Sequence, residues 1–129
     1  MVHILDVLKD RVLLCDGGTG SRVQALTLDV ERDYLGHENC TEILTKARPD
    51  IVRDIHRSYL KAGSDIVQTN TFGGSPITLG EFGLQDKAFD YNKRAAELAR
   101  EAVAGYADER FVLGSIGPGT KLQIGRAHV

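Results

Sequence analysis

A short loop with one carboxylate and three glycines is the first stretch of this chain whose residues could do chemistry. It reads Cys15-Asp16-Gly17-Gly18-Thr19-Gly20-Ser21 and follows the apolar run Val12-Leu13-Leu14. Because glycine has no Cβ, the backbone of such a loop can adopt positive φ and come close to a ligand. The loop therefore predicts that a small polar molecule is bound by a carboxylate and main-chain N–H groups. Asp16 fits equally well the structural role of capping the turn that follows.

The elements that must position this loop are short strands that alternate with helices. Residues 12–15, 65–69 and 111–114 are apolar runs typical of strands buried on both faces. Helical periodicity begins at Pro49 and stops at Gly63, and it returns over residues 87–105. Shorter helices are predicted over residues 3–9, 29–34 and 77–82, and a helical turn or two after Gly20. This order predicts an α/β fold with a parallel sheet and right-handed crossovers.

Ligands of parallel sheets bind at the carboxyl ends of the strands, where the loops converge. The loops at residues 16–21, 69–75 and 115–120 follow the three predicted strands, and all are rich in Gly, Thr, Ser and Asn. We therefore expect one binding site to be built from all three loops. Its predicted substrate-binding residues are Asp16, Gly17, Gly18, Thr69, Asn70, Thr71 and Ser115.

Composition argues against several classes of partner. The chain has 129 residues, 26% of them charged, and a net charge of −2, which gives no electrostatic case for nucleic acid or an anionic membrane. No apolar run approaches the roughly 20 residues of a membrane span, and the first residues lack a signal-peptide pattern. The two cysteines form no CxxC pair. These features predict a cytoplasmic protein.

Known nucleotide motifs fit the first loop poorly. The stretch Gly18-Thr19-Gly20-Ser21-Arg22-Val23 places a valine where a dinucleotide fingerprint has its third glycine, and no Lys-Ser/Thr pair of a P-loop follows. A non-catalytic module that binds a nucleotide or phosphate at this loop stays open as an alternative. Residue patterns alone indicate a parallel α/β domain that binds a small molecule.

Four motifs in order extend this interpretation. Leu14-Cys15-Asp16-Gly17-Gly18-Thr19-Gly20 resembles the opening motif of the homocysteine S-methyltransferase family. The stretch from Arg48 to Asp65 resembles its first long helix, and Gln68-Thr69-Asn70-Thr71-Phe72-Gly73-Gly74 and Gly114-Ser115-Ile116-Gly117-Pro118-Gly119 are similar to its next two strand-end motifs. Within the family, the motifs look most like the homocysteine domain of the cobalamin-dependent methionine synthase branch.

The resemblance implies a (β/α)8 TIM barrel that binds homocysteine and transfers a methyl group to it, giving methionine. It implies a zinc ion held by three thiolates, with methylcobalamin or methyltetrahydrofolate as the donor, carried by downstream folate and cobalamin domains. Asp16 would contact the substrate's amino group, and Gly17 and Gly18 would allow close backbone approach. Gln68 replaces the glutamate usual in the methionine synthase branch. A donor of another kind, betaine or S-methylmethionine, therefore stays open as an alternative.

The expected extent of the domain completes the sequence interpretation. Residues 1–123 are expected to hold about three βα units of an incomplete barrel, because a complete one takes about 250 residues. The family's zinc cysteines lie on later strands, so we expect neither Cys15 nor Cys40 to bind metal. We expect this chain alone, as a fragment, to bind no cofactor and to be inactive. Residues 124–129, Ile-Gly-Arg-Ala-His-Val, resemble a translated sequencing-library adapter and are expected to be a non-native tail.

Overall fold

The computed structural model describes residues 2–120 of the chain, so the predicted tail at 124–129 lies outside the described residues. Six α-helices, two 3-10 turns and two strands follow one another along the described part. The α-helices are α1 (Ile4–Val7), α2 (Gly20–Gln24), α3 (Leu44–Ala47), α4 (Pro49–Ala62), α5 (Pro76–Gly80) and α6 (Ala88–Val103), the strands are β1 (Ile66–Gln68) and β2 (Phe111–Leu113), and the 3-10 turns are Thr41–Ile43 and Gln85–Lys87. None of the helices in this part of the chain is long and apolar enough to cross a membrane.

The sheet is small and parallel. β1 pairs with β2 in the register Ile66 to Phe111, and α6 lies between the two strands in the chain. This arrangement confirms the predicted α/β fold with a parallel sheet. The two strands begin and end within a residue or two of the predicted runs.

The first predicted strand, residues 12–15, is largely absent. Cys15 alone forms a parallel bridge, to Ile66, and two main-chain bonds flank it: Ile66 N–H donates to Leu14 at 3.0 Å and Asp16 N–H donates to Ile66 at 2.9 Å. On either side of these bonds, side-chain carboxylates accept main-chain N–H groups in place of the carbonyls of a regular strand ladder. The Asp65 carboxylate accepts the Leu14 N–H at 2.9 Å, and the Asp16 carboxylate accepts the Gln68 N–H at 3.0 Å.

The prediction that this run is buried on both faces is also wrong. Val12 is 83% exposed and Leu14 is 60% exposed. Apolar character in a run of residues predicts burial only where a neighbouring element covers the run. Within the described residues, no such element covers these two side chains.

Helix α4 begins and ends where the sequence predicts. Pro49 occupies the first turn, where the missing N–H costs no hydrogen bond, and Asp50 follows it. Gly63 ends the helix with φ of 113°, a left-handed conformation in which glycine has no Cβ to clash. Arg110 also contacts this end, because its guanidinium donates to the Ser64 carbonyl at 2.6 Å.

Helices α4 and α6 pack together and cover the sheet from one side. Leu60 of α4, Val67 of β1 and Ala99 of α6 form a buried cluster with Ala102. A second buried cluster, centred on Leu44, joins α3 to both helices. The amphipathic pattern of α4 and α6 therefore positions β1, whose carboxyl end carries the central loop of the predicted site.

The segment from residue 27 to residue 47 differs from prediction. Residues 29–34 form turns where a helix was predicted, because the Asp29 and Asp33 carboxylates accept nearby main-chain N–H groups. Asp33 is fully buried and pairs with Arg48 at 2.6 Å, which fixes this segment against the start of α4. Residues 41–47, which show no clear periodicity, form a 3-10 turn and helix α3.

Candidate functional site

Asp16 lies at the carboxyl end of the bridged segment, beside Gln68 at the end of β1. Its Oδ2 accepts the Gln68 main-chain N–H at 3.0 Å, and its Oδ1 accepts the Gln68 side-chain amide at 3.3 Å. The carboxylate thus accepts the hydrogen bond from Gln68 that a main-chain carbonyl would accept if the strand continued. Each carboxylate oxygen offers two acceptor positions, so further donors can still bind there.

Packing against helix α4, and not the predicted positive φ, distinguishes Gly17 among the glycines of the first loop. Gly17, Gly18 and Gly20 do not have positive φ. A Cβ on Gly17 would instead lie 3.0 Å from the hydroxyl oxygen of Tyr59, and that hydroxyl donates to the Gly18 carbonyl at 2.8 Å. Close packing of helix α4 against the loop, rather than backbone conformation, therefore disfavours a side chain at position 17, because the Tyr59 side chain would have to move to admit one.

Thr69, Thr71 and Ser115 form one hydrogen-bond network. The two threonine hydroxyls are 2.6 Å apart, the Thr71 hydroxyl donates to the Ser115 carbonyl at 2.7 Å, and the Ser115 N–H donates to the Thr69 hydroxyl at 3.1 Å. The loops that follow β1 and β2 are joined in this way. The predicted residues do come together, but both threonine hydroxyls already have partners in the protein.

Asn70 is buried, and its side chain contacts the segment before α4. Its amide nitrogen donates to the Thr41 carbonyl at 3.0 Å and to the Thr45 hydroxyl at 3.2 Å. Both amide hydrogens therefore have partners in the protein. Asn70 acts here as a connection between two elements of the site.

Two glycines of the later motifs lie in close contact with a neighbouring loop or helix. A Cβ on Gly74 would collide with the Asn92 side chain, and one on Gly117 would collide with the Phe72 carbonyl. The Gly117 N–H donates to that same Phe72 carbonyl at 3.0 Å. At Gly117 the loops after β1 and β2 approach each other so closely that no side chain fits, whereas Gly74 packs against the Asn92 side chain on α6.

A cavity of about 310 Å³ opens among these loops. It is lined by six of the seven predicted residues and by others that sequence reasoning did not assign: Gly17, Gly18, Thr69, Asn70, Thr71 and Ser115, with Thr19, Gly20, Thr41, Glu42, Gln68 and Phe72. Asp16 does not line the cavity itself, although its neighbours Gly17 and Gln68 do. Glu42 lies in the segment without clear periodicity, and no sequence pattern indicated a site role for it.

Two titratable groups beside the loop are shifted toward their neutral forms. Cys15 is exposed, but partial desolvation by its neighbours, and then the adjacent Asp16 carboxylate, raise the pKa of its thiol. Burial lowers the pKa of His56, which is 2% exposed and whose ring nitrogens have no hydrogen-bond partner among residues 2–120. At neutral pH neither group carries charge, so the main charges near the cavity are carboxylates.

The described residues do not provide a metal site. Between residues 2 and 120 there is no group of three or more His, Cys, Asp or Glu side chains that could hold a metal ion. Cys40 is fully buried in an apolar cluster with Ile43 and Leu79, and burial raises its pKa to about 11. A cysteine binds zinc as the thiolate, and this environment opposes formation of that thiolate at Cys40.

With this geometry established, comparison with known proteins decides the family. The family model described as homocysteine S-methyltransferase matches residues 13–128. The chain belongs to the homocysteine S-methyltransferase family. The resemblance of the four motifs is thereby confirmed.

Members of this family with high similarity include two mycobacterial proteins. The methionine synthase of Mycobacterium tuberculosis (strain ATCC 25618 / H37Rv) is 44% identical over 122 residues, and that of Mycobacterium leprae (strain TN) is 44% identical over 128 residues. Each match covers 92% of this chain and 10% of the relative. The chain thus spans a tenth of the length of these methyltransferases.

Solved structures of the family show the same fold. The metallated form of the homocysteine methyltransferase MmuM from Escherichia coli has a TM-score of 0.69 at 22% identity, covering 88% of this chain and 40% of that chain. Its oxidized form matches with a TM-score of 0.69 at 23% identity, over 86% and 39% of the two chains. This likeness supports the α/β fold of the homocysteine S-methyltransferase family.

Proposed function

We propose that this chain forms part of the homocysteine-binding site of a methyltransferase that converts homocysteine to methionine. The observation that carries this proposal is the cavity itself. Six residues assigned to substrate binding, from loops more than 40 positions apart in the chain, line one space in a member of this family. Its volume of about 310 Å³ suits a small amino acid.

The amino-acid end of homocysteine is the part that this chain would hold. The N–H groups of Gly17 and Gly18 have no acceptor among residues 2–120 and are suited to a carboxylate. Asp16 is proposed to contact the ammonium group through the acceptor positions that Gln68 leaves free. Thr69, Asn70, Thr71 and Ser115 would hold the walls of the cavity through the bonds described above.

The remaining chemistry is proposed to reside in other parts of the methyltransferase. The described residues do not fit a zinc site, so no step is assigned to a metal here. This proposal includes three further features of the methyltransferase. They are a (β/α)8 barrel, a set of zinc thiolates, and domains that bind folate and cobalamin. Membership of the family supports this proposal. So does the partial coverage of the relatives, because the chain matches 40% of MmuM and 10% of the methionine synthases, and the rest of those proteins lies outside the match.

Calorimetric titration of the chain with homocysteine, under reducing conditions, tests the proposal. In Asp16→Asn the charge is lost, while Gln68 can rotate its amide and keep a hydrogen bond to residue 16. We expect the affinity to fall about tenfold, as for loss of one charge-assisted hydrogen bond. Asp10→Asn, at an exposed position outside the cavity, is the matched control and should bind homocysteine as the wild type does.

Two results would contradict the proposal. One is a wild-type chain that is folded but gives no heat of binding with homocysteine. The other is tight binding of inorganic phosphate that survives Asp16→Asn, which would favour the phosphate-binding module instead.

A further inference from the structure

The segment that contains Thr41–Ile43 is attached to the loop after β1 by three hydrogen bonds. Two of these come from the amide group of Asn70, described above. The third joins Glu42, whose Oε1 accepts the Gly73 N–H at 2.8 Å. Glu42 is the only carboxylate among the residues that line the cavity.

Glu42 and Gly73 are in close contact, and a side chain at position 73 would displace the Glu42 carboxylate. A Cβ on Gly73 would lie 2.8 Å from Oε1 and 3.3 Å from Oε2 of Glu42. The carboxylate therefore lies directly against the backbone of the loop. Its charge strengthens the bond, because a hydrogen bond to an ionised acceptor is shorter and stronger than a neutral one.

The other side of the same loop is fixed by the segment after β2. The Phe72 carbonyl accepts the Gly117 N–H at 3.0 Å, and the Thr71 hydroxyl donates to the Ser115 carbonyl at 2.7 Å. Phe72, whose side chain is 65% exposed, also lines the cavity. On the side of the segment before α4, only Glu42 bonds to the main chain of residues 71–74 among the described residues.

We propose that Glu42 is a positioning residue for the substrate site. By accepting the Gly73 N–H, Glu42 fixes the loop of residues 71–74, whose Thr71 and Phe72 line the cavity, and it does so through this bond rather than by contacting substrate. We expect this positioning to tighten the binding of homocysteine, and that expectation rests on the proposed function. The contact itself can be tested without any ligand.

Two variants separate the hydrogen bond from the charge. Glu42→Gln keeps an acceptor oxygen at the same place, and its amide group replaces Oε2, which makes no hydrogen bond among residues 2–120. Glu42→Leu keeps most of the volume and removes the acceptor. Glu38→Leu, at an exposed position that does not line the cavity, is the matched control.

Amide hydrogen exchange of Gly73, followed by NMR, is the first measurement. We expect Glu42→Leu to speed this exchange about tenfold, as for loss of one hydrogen bond, with protection retained in Glu42→Gln and Glu38→Leu. The second measurement is the dissociation constant for homocysteine, which should rise about tenfold in Glu42→Leu and stay within about twofold of wild type in Glu42→Gln. The urea midpoint of each variant shows whether the whole fold has changed.

The outcomes separate the inference from the proposed function. If Gly73 exchanges equally fast in wild type and Glu42→Leu, Glu42 does not hold the loop and the inference is wrong. If Glu42→Gln keeps Gly73 protected but loses affinity as Glu42→Leu does, Glu42 acts on the ligand by charge, which also overturns it. A wild type that fails to bind homocysteine refutes the proposed function, and Gly73 exchange still decides whether Glu42 positions the loop.

Discussion

The hydroxyl of Tyr59, on helix α4, donates a 2.8 Å hydrogen bond to the carbonyl of Gly18 and lies 3.0 Å from where a Cβ on Gly17 would be. This contact joins the helix that covers the sheet to the loop that lines the cavity. The first loop of the site is therefore positioned by packing from beneath.

Replacing Gly17 by alanine should displace this contact. The new methyl group would push the Tyr59 hydroxyl away from Gly18, and the loop would shift at the edge of the cavity. We expect the dissociation constant for homocysteine to rise about tenfold, because small displacements of binding groups are costly. Calorimetric titration measures this change.

The matched control for this substitution is Gly105→Ala. A Cβ on Gly105 would meet nothing within 4 Å, and this exposed residue does not line the cavity. Affinity should stay close to that of the wild type. Equal losses in both variants would show that the contact with Tyr59 is not the cause.

Burial of His56 predicts that stability falls as the solution becomes acidic. Its pKa in the folded protein lies below the ordinary value of 6.5, so the unfolded chain binds more protons when the pH falls below 6.5. The free energy of unfolding should therefore decrease on going from about pH 7 to pH 5, by at most about 1.4 kcal/mol per pH unit from this group. Urea unfolding at a series of pH values measures the slope.

Substitution of His56 by leucine should remove this part of the slope. At pH 7 the variant should be at least as stable as the wild type, because both ring nitrogens lack partners among residues 2–120. His3→Asn is the control. His3 is exposed, its Nδ1 caps α1 by accepting the Leu5 N–H, and an asparagine side chain can make the same bond. An unchanged slope in His56→Leu would contradict the assignment.

The end of helix α4 gives a prediction about stability alone. Gly63 has φ of 113°, a conformation that costs a residue with a Cβ about 1–2 kcal/mol. Gly63→Ala should lower the free energy of unfolding by that amount. Gly105→Ala should cost less, because Gly105 does not have positive φ and a Cβ there would meet nothing within 4 Å. Urea unfolding of the two variants at pH 7 compares them, and equal effects would contradict the argument.

Local patterns in the sequence predicted the elements that depend on local physics. The bounds of helix α4 follow from Pro49 and Gly63, and the amphipathic patterns of α4 and α6 follow from the period of the helix. The region from residue 27 to residue 47 was predicted poorly, because side-chain bonds such as that of Asp33 with Arg48 replace a regular pattern there. Residues 12–15 have the pattern of a buried strand, yet only one bridge to β1 forms. On either side of it, carboxylates accept the main-chain N–H groups.

For this protein, the sequence by itself determined the α/β order, the family and the three loops that meet at the site. Those features depend on residue types and short spacings, which can be read along the chain. Only the tertiary structure decided that Gly17 lies against the Tyr59 hydroxyl, that Asn70 connects two elements, and that Glu42 accepts the Gly73 N–H. Each of these depends on an atom-to-atom approach between residues 25 or more positions apart, and such approaches are set by how helices and loops pack together.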